Sequence, residues 1–259
     1  MGAGIIIAGE SNLGLLRKRN EDNFVLASLP GRSTALAAVA DGIGGHRDGD
    51  VASRMCCSRL GHGYLDAMRS MRLTEDGAQF FRRTLEEVNG ELHRRSCASQ
   101  LALPMGCTVI AGIFFARKLV LVSSGDSRCY EFHPKTGLRQ LNTDHVAPPE
   151  VLAKLPPAAA ESGQLSGSPL IQAIGLRQRL EIDLEVLDRA PGSRYVFCSD
   201  GLYRAVKEEK IRAILAGSET PRQAVGDLMR QALLGGGRDN ITIVVAFPER
   251  KAESGHAAS

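Results

Sequence analysis

Four aspartates in this chain stand where an apolar strand-like run meets a glycine-bearing turn. Asp41 ends the run TALAAVA and opens DGIGG, and Asp126 follows KLVLVSSG. Asp200 follows RYVFCS and precedes Gly201, while Asp239 sits in GGGRDN just before ITIVVAF. A single aspartate at such a junction is ordinary, because its side chain bonds nearby backbone and helps to close the turn. Four of them, each with a glycine close by, suggest more. In an antiparallel sheet the end of one strand lies beside the start of its neighbour. Three aspartates leaving strands and one entering a strand can therefore gather at one edge. Carboxylates crowded together cannot all stay ionised without compensation. A divalent cation supplies it, and an all-oxygen donor set without Cys or His suits Mg²⁺ or Mn²⁺ better than zinc. Gly42 would expose its own carbonyl or let the chain pass close to the ion, although a simple turn glycine explains it too. Nucleotide-binding motifs give no rival: GIGGHR lacks the third glycine of G-x-G-x-x-G, and no G-x-x-x-x-G-K-[ST] occurs.

The elements around these residues read as strands in two groups with helices inserted between them. Short strands are expected at 4–9, 23–29 and 34–40, each bounded by turn residues. Helices follow over 48–70 and 74–96, the second with Phe80, Phe81, Leu85, Val88 and Leu92 at helical spacing. Strands return at 107–115 and 118–125, joined through Ala116-Arg117, and at 129–133 and 138–142, joined through Pro134 to Gly137. After strands at 182–188 and 194–199 come helices at 207–216 and 220–234, the latter capped by Thr220 with Pro221 at its first position. The last strand spans 240–247. Hairpin-like links predict α+β with antiparallel sheets, in a single domain over 1–248. Residues 146–168, rich in Pro, Ala, Ser and Gly, read as a flap-like insertion, and 249–259 as a disordered tail.

Composition removes several function classes. The net charge of +3 over 259 residues, with only short basic clusters, gives no support for nucleic-acid binding. No apolar run reaches membrane-spanning length, and the N-terminus lacks the basic flank of a signal peptide. Six cysteines without a C-x-x-C spacing read as reduced thiols of a cytoplasmic protein.

With these positions laid out, the chain resembles the metal-dependent Ser/Thr protein phosphatases of the PP2C (PPM) family from Gly14 to Phe247. The resemblance rests on GLLRKRNEDNF (14–24), VADGIGGH (39–46), GCTVIAGIF (106–114), SSGDSRCYEF (123–132), TDH (143–145), LIQAIG (170–175), FCSDGLY (197–203) and GRDNITIVV (237–245). No one motif settles it; their order and spacing do. The GIGGH form is similar to the compact bacterial members. The resemblance implies a β-sandwich of two antiparallel sheets flanked by helices, with two Mn²⁺ or Mg²⁺ ions at one end. Asp41 would bridge the metals, Gly42 would offer its carbonyl, and Asp200 and Asp239 would ligate one ion. Glu21 and Asp22 match the acidic pair near the metals, Glu21 through bound water. Asp126, with Asp200, matches a third-metal position. Arg17 matches the arginine that holds the substrate phosphate, and Asn240 would support Asp239, although a plain turn asparagine explains it nearly as well. The implied reaction is attack of a metal-bridging hydroxide on phosphoserine or phosphothreonine. Phosphoproteins made by a Ser/Thr kinase are then the expected partners. Where eukaryotic relatives carry a histidine after Asp-Gly, this chain has Ile43. The general acid is left open between His46 and a metal-bound water, and a plain loop histidine also accounts for His46.

A different reaction class is written in the same residues. Cys198 and Arg204 form C-x₅-R after a strand, the spacing of cysteine-dependent phosphatases. Against it, Asp200 would sit inside the phosphate cradle, Phe197 stands where a histidine assists the thiolate, and Ala205 where a hydroxyl residue follows. A catalytically idle phosphoprotein-binding relative is the third reading, although every expected acid is present. Assay of an aryl phosphate with Mn²⁺, with chelator and with a thiol alkylator separates the three. The expected result is Mn²⁺-supported turnover lost to chelator and indifferent to alkylation. Activity that survives chelation and dies on alkylation would instead indicate Cys198.

Overall fold

The computed structural model describes residues 4–28, 34–43, 48–68, 70, 74–98, 104–148, 150 and 169–249. His46, the tail from 250 onward and the flap beyond Pro148, apart from Glu150, lie outside the described residues. Among the described residues there are eleven strands: β1 (Ile5–Asn12), β2 (Asp22–Ser28), β3 (Ala35–Ile43), β4 (Gly106–Cys107), β5 (Val109–Phe114), β6 (Lys118–Ser124), β7 (Arg128–His133), β8 (Gly137–Gln140), β9 (Asp183–Asp188), β10 (Arg194–Cys198) and β11 (Ile241–Pro248). The helices are α1 (Gly49–Ala67), α2 (Thr74–Ala98), α3 (Asp200–Tyr203), α4 (Glu208–Gly217) and α5 (Pro221–Leu234). One sheet runs β1-β11-β10-β7-β8 and the other β2-β3-β5-β6-β9, with β4 attached to β3. Every pairing is antiparallel. Both hairpins expected from the sequence form. Phe115 N–H donates to the Lys118 carbonyl at 2.8 Å across Ala116-Arg117, and His133 pairs with Gly137. Thr220 caps α5 by accepting from Gln223 N–H at 3.2 Å.

The two sheets pack face to face, and each carries helices on its outer face, so there are three apolar layers. Leu36, Ala38 and Ala40 of β3 meet α1 and α2 through Cys56, Leu60, Leu85 and Val88. Val196 and Cys198 of β10, with Ile243 and Val245 of β11, meet α3, α4 and α5. Between the sheets lie the alternate residues: Ala35, Ala37 and Val39 of β3, Ile110 and Phe114 of β5, Tyr195 and Phe197 of β10, and Val244 and Ala246 of β11. This is the two-residue period of a strand used on both faces. It explains why so many strands read as unbroken apolar runs.

Two local details differ from the sequence expectation. The run 107–115 is not one strand but breaks at Thr108. Cys107 exchanges backbone hydrogen bonds with Ile174, at 3.0 and 2.9 Å, while Thr108 N–H turns to the Asp41 carbonyl at 2.8 Å. Helix α3 has only four residues, too few to show a helical period in sequence.

The inter-sheet layer is closed by aromatic contacts: Phe114 meets Tyr195 and Phe197 edge-on, with ring centroids 5.3 and 6.0 Å apart. Phe197→Ala should therefore cost about 3–5 kcal/mol of folding stability. A urea midpoint shift equivalent to less than about 1 kcal/mol would contradict the packing described.

Candidate metal centre

At one end of the inter-sheet layer the same alternation runs past the apolar residues into polar ones. Ala35, Ala37 and Val39 are continued by Asp41; Leu26 and Phe24 by Asp22; Tyr195 and Phe197 by Ser199; Ala246 and Val244 by Thr242. Asp22 and Asp41 are directly paired across β2 and β3. Asp22 is only 4% exposed. One of its oxygens accepts from the Ser199 hydroxyl at 2.7 Å. That hydroxyl oxygen in turn accepts from Thr242 N–H at 3.0 Å. The other oxygen, Oδ1, is buried with no hydrogen-bond partner. Asp41 is held through its backbone: its N–H donates to Thr108 Oγ1 at 3.0 Å, and Thr108 Oγ1 lies 2.7 Å from Ser127 Oγ.

Asp126 follows β6 and Asp200 opens α3, and Arg204 joins them. Its Nη2 lies 3.0 Å from an Asp200 oxygen and 3.3 Å from Asp126 Oδ2. The spacing of four residues places Asp200 and Arg204 on one side of the short helical turn. Tyr203 donates to the Asp126 carbonyl at 3.0 Å, and its ring is covered by Arg128, 3.7 Å from the centroid. Like Asp22, Asp200 keeps one buried oxygen, Oδ1, without a partner.

The loop from Leu13 to Glu21 closes the site. Arg17 Nη2 donates to Asp239 Oδ2 at 2.7 Å. Asn240 carries the loop: its side-chain amide donates to the carbonyls of Leu13 and Arg19, both at 2.9 Å, and its oxygen accepts from Glu21 N–H at 2.8 Å. Direct support of Asp239 comes instead from the Asn240 backbone N–H, at 2.8 Å. Gly14 has φ +78°, and a Cβ there would lie 2.1 Å from the Asp239 carbonyl oxygen. The need for glycine at position 42 is also steric. A Cβ on Gly42 would fall 2.2 Å from the Gly49 carbonyl oxygen and 2.7 Å from that of Glu21. The close approach is thus to the start of α1. Glu21 reaches the same corner, with Oε1 3.1 Å from where a Gly49 Cβ would stand.

The acids sense one another. Burial raises the Asp41 carboxyl well above the ordinary range, and the charges of Asp22, Asp200, Asp126 and Asp239 push it further. Burial raises Asp200 to about 7, with Asp126, Asp239 and Asp22 adding to it and Arg204 opposing. Asp22 is raised to about 6, again by burial, with the Ser199 and Thr242 hydrogen bonds opposing. Burial likewise raises Asp126 and Glu21. Arg17 is raised, first by its bond to Asp239 and also by the charges of Asp41 and Asp200. Among the described residues, no three His, Cys, Asp or Glu side chains are already closed around one point. The set nonetheless fits a hard cation. All donors are oxygens, two buried carboxylate oxygens lack partners, and the mutual repulsion is of the kind a divalent ion removes.

The cysteine alternative fails on geometry. Cys198 is fully buried and faces α3–α5. Its thiol is pushed far up by burial, and Arg204 is engaged by Asp126 and Asp200.

Residues 17–234 match the family described as Protein phosphatase 2C. The chain belongs to this family. It is 30% identical over 241 residues to the serine/threonine phosphatase Stp of Listeria monocytogenes, covering 90% of this chain and 91% of that protein. The serine/threonine phosphatase of S. agalactiae shares the fold with a TM-score of 0.82 at 25% identity, over 95% of this chain and 100% of that one. The catalytic domain of the phosphatase PstP, whose structure contains two manganese ions, gives 0.77 at 30% identity, over 95% and 99%. In this protein phosphatase 2C member, sequence motifs point to the acids but not to Ser199, Thr242, Thr108, Ser127 or the pairing role of Arg204. The first four become visible when the two-residue period is carried along each strand to its end and one step beyond.

An acid whose folded-state pKa lies above its unfolded value binds its proton more tightly when folded, so stability falls as pH rises between the two. For Asp22 and Asp200 that window runs from 3.8 to about 6 and about 7. Chelator-treated protein should therefore have a higher urea midpoint at pH 5 than at pH 8, and Asp200→Asn should flatten the difference. Adding Mn²⁺ at pH 8 should restore stability by binding the folded form. A midpoint in chelator that rises from pH 5 to pH 8 would be the opposite outcome.

Proposed function

We infer that this chain is a metal-dependent protein serine/threonine phosphatase that hydrolyses phosphoserine and phosphothreonine esters. The observation that carries the reading is the gathering of Asp22, Asp41, Asp126, Asp200 and Asp239 at one end of a protein phosphatase 2C fold. Burial and like-charged neighbours push Asp22, Asp41, Asp126 and Asp200 toward protonation. Asp41, Asp200 and Asp239, with the Gly42 carbonyl, would hold two Mn²⁺ or Mg²⁺ ions. Asp22 and Glu21 stand beside them, and Asp126 with Asp200 would take a third. Such ions lower the pKa of bound water to supply a nucleophile and offset charge on the phosphoryl group.

The chain's own residues position and bind. Ser199 fixes Asp22, Thr108 fixes the backbone of Asp41, and Arg204 orients Asp126 against Asp200. The carboxylates of Asp22, Asp126 and Asp200 and the backbone of Asp41 are therefore held before an ion arrives, which limits reorganisation on binding. Arg17 stands at the rim, its side chain 44% exposed, with donors beyond the one on Asp239. These can grip phosphoryl oxygens in the fork geometry that guanidinium provides. The substrates are phosphoproteins, with a Ser/Thr kinase as the source of the ester. A single phosphatase domain over residues 1–248 is the unit proposed. Six free cysteines agree with a reducing, cytoplasmic setting. Among the described residues no helix is long and apolar enough to cross a membrane.

Asp41→Asn and Asp200→Asn should each lower Mn²⁺-dependent turnover of a phosphopeptide at least about a hundredfold while preserving the circular dichroism spectrum. Near-normal turnover by either variant counts against the assignment. In the same assay Arg17→Ala should raise KM more than it lowers kcat. An unchanged KM would remove Arg17 from the phosphate site.

A further inference from the structure

The inter-sheet alternation also runs on at the opposite end of the sandwich. Leu121 and Leu119 are continued by Arg117, Leu187 by Arg189, Cys129 by Glu131 and His133, and Leu141 by Arg139. With Asp188 these residues line a cavity of about 460 Å³. That is the size of a small-molecule site.

Most of the charge there is spent internally. Glu131 accepts from Tyr195 Oη at 2.9 Å and from Arg139 Nε at 2.7 Å. Asp188 pairs with Lys118 at 2.9 Å. His133 Nδ1 accepts from Lys135 N–H at 3.2 Å, and its Nε2 faces the Pro191 carbonyl at 3.3 Å. Arg117 and Arg189 remain, and no carboxylate pairs with either among the described residues. They start side by side, because Arg189 N–H donates to the Arg117 carbonyl at 2.9 Å. Arg189 then reaches inward. It donates to the Phe115 carbonyl, its guanidinium lies 5.2 Å from the Phe114 ring centroid, and its Nε is buried without a partner. Burial lowers the pKa of this guanidinium, with the Tyr195 oxygen beside it working the other way. A half-buried cation that no carboxylate among the described residues pairs with is costly until an anion meets it. Two guanidinium groups from neighbouring positions suit a tetrahedral oxyanion with three or more oxygens better than a two-oxygen carboxylate.

We propose that this distal cavity binds a small phosphate-type oxyanion, held by Arg117 and Arg189. The source is either free inorganic phosphate or the phosphate group of a small monoester, for whose organic part the cavity has room. The site lies at the opposite pole from the carboxylates and does not depend on them.

Calorimetric titration of the full chain in chelator, with inorganic phosphate and separately with AMP, tests this. At least one probe should bind the wild type and bind Arg17→Ala equally well. Arg117→Ala and Arg189→Gln should each weaken it at least about tenfold, the loss expected for one charge-assisted contact. If Arg189→Gln does not fold, Arg117→Glu at the exposed rim decides, and it should abolish binding. Binding of AMP marks the ester as a ligand, and binding of phosphate alone marks the free anion. The proposal is overturned if neither probe binds, if affinity is unchanged in folded Arg117 and Arg189 variants, or if binding is lost in Arg17→Ala.

Discussion

The repulsion among acids at the end of the inter-sheet layer is the constraint that organises this molecule. Asp22, Asp41, Asp126 and Asp200 are carried by strand ends whose apolar neighbours cannot be exposed without opening the sandwich. The carboxylates are therefore held where water is scarce. Desolvation and like charge act in the same direction, and both favour the protonated acid. The protein opposes this with two guanidinium groups, Arg204 between Asp126 and Asp200 and Arg17 on Asp239, and with the Ser199 hydroxyl on Asp22. Those contacts leave buried carboxylate oxygens on Asp22 and Asp200 unmatched. A site with that surplus of negative charge, and only oxygen donors among the described residues, suits hard divalent cations.

The route from sequence to this constraint is the alternation of strand side chains. In each strand one set of alternate residues packs against helices and the other against the opposite sheet. The second set cannot stop abruptly at the strand end, because the direction of each side chain is set by the backbone. Its next member points into the same seam. Where that member is Asp or Ser, the seam acquires acids and their hydroxyl partners together. Register then does the rest, placing Asp22 opposite Asp41. A one-residue slip in β2 would turn Asp22 and Phe24 together out of the seam toward α1, so the apolar packing guards the position of the acid.

Much of this is legible in the amino-acid sequence. The strands, both long helices, the two hairpins and the Thr220 cap follow from period, turn residues and capping chemistry. The acids are legible because aspartate beside glycine at several strand ends is hard to explain as turn chemistry alone. What the sequence hides is of two kinds. Helix α3 is too short to carry a period, so the alignment of Arg204 with Asp200 across one turn has no signal, and the C-x₅-R spacing draws Arg204 toward the wrong chemistry. The break at Thr108 depends on a partner segment around Ile174 that no local pattern announces. Adjacency in sequence suggests Asn240 as a support for Asp239, yet its side chain holds the remote segment from Leu13 to Glu21. Contacts between segments more than two hundred residues apart are set by the closed fold and have no local signature.

The same alternation has opposite consequences at the two mouths of the seam. At one, the continuing residues are Asp22 and Asp41 with the hydroxyls of Ser199 and Thr242, and the neighbouring acids outnumber the cations that balance them. At the other they are mainly arginines, with Glu131 and Asp188 already engaged. Both mouths are fixed to the same rigid layer, in which Phe114 packs on Tyr195 and Phe197. Tyr195 also donates to Glu131 at the arginine end, while Phe197 lies two residues from Ser199 at the acidic end. The five-residue strand β10 therefore spans both. The seam gives the two poles a shared physical element, while the contacts that build each mouth are separate.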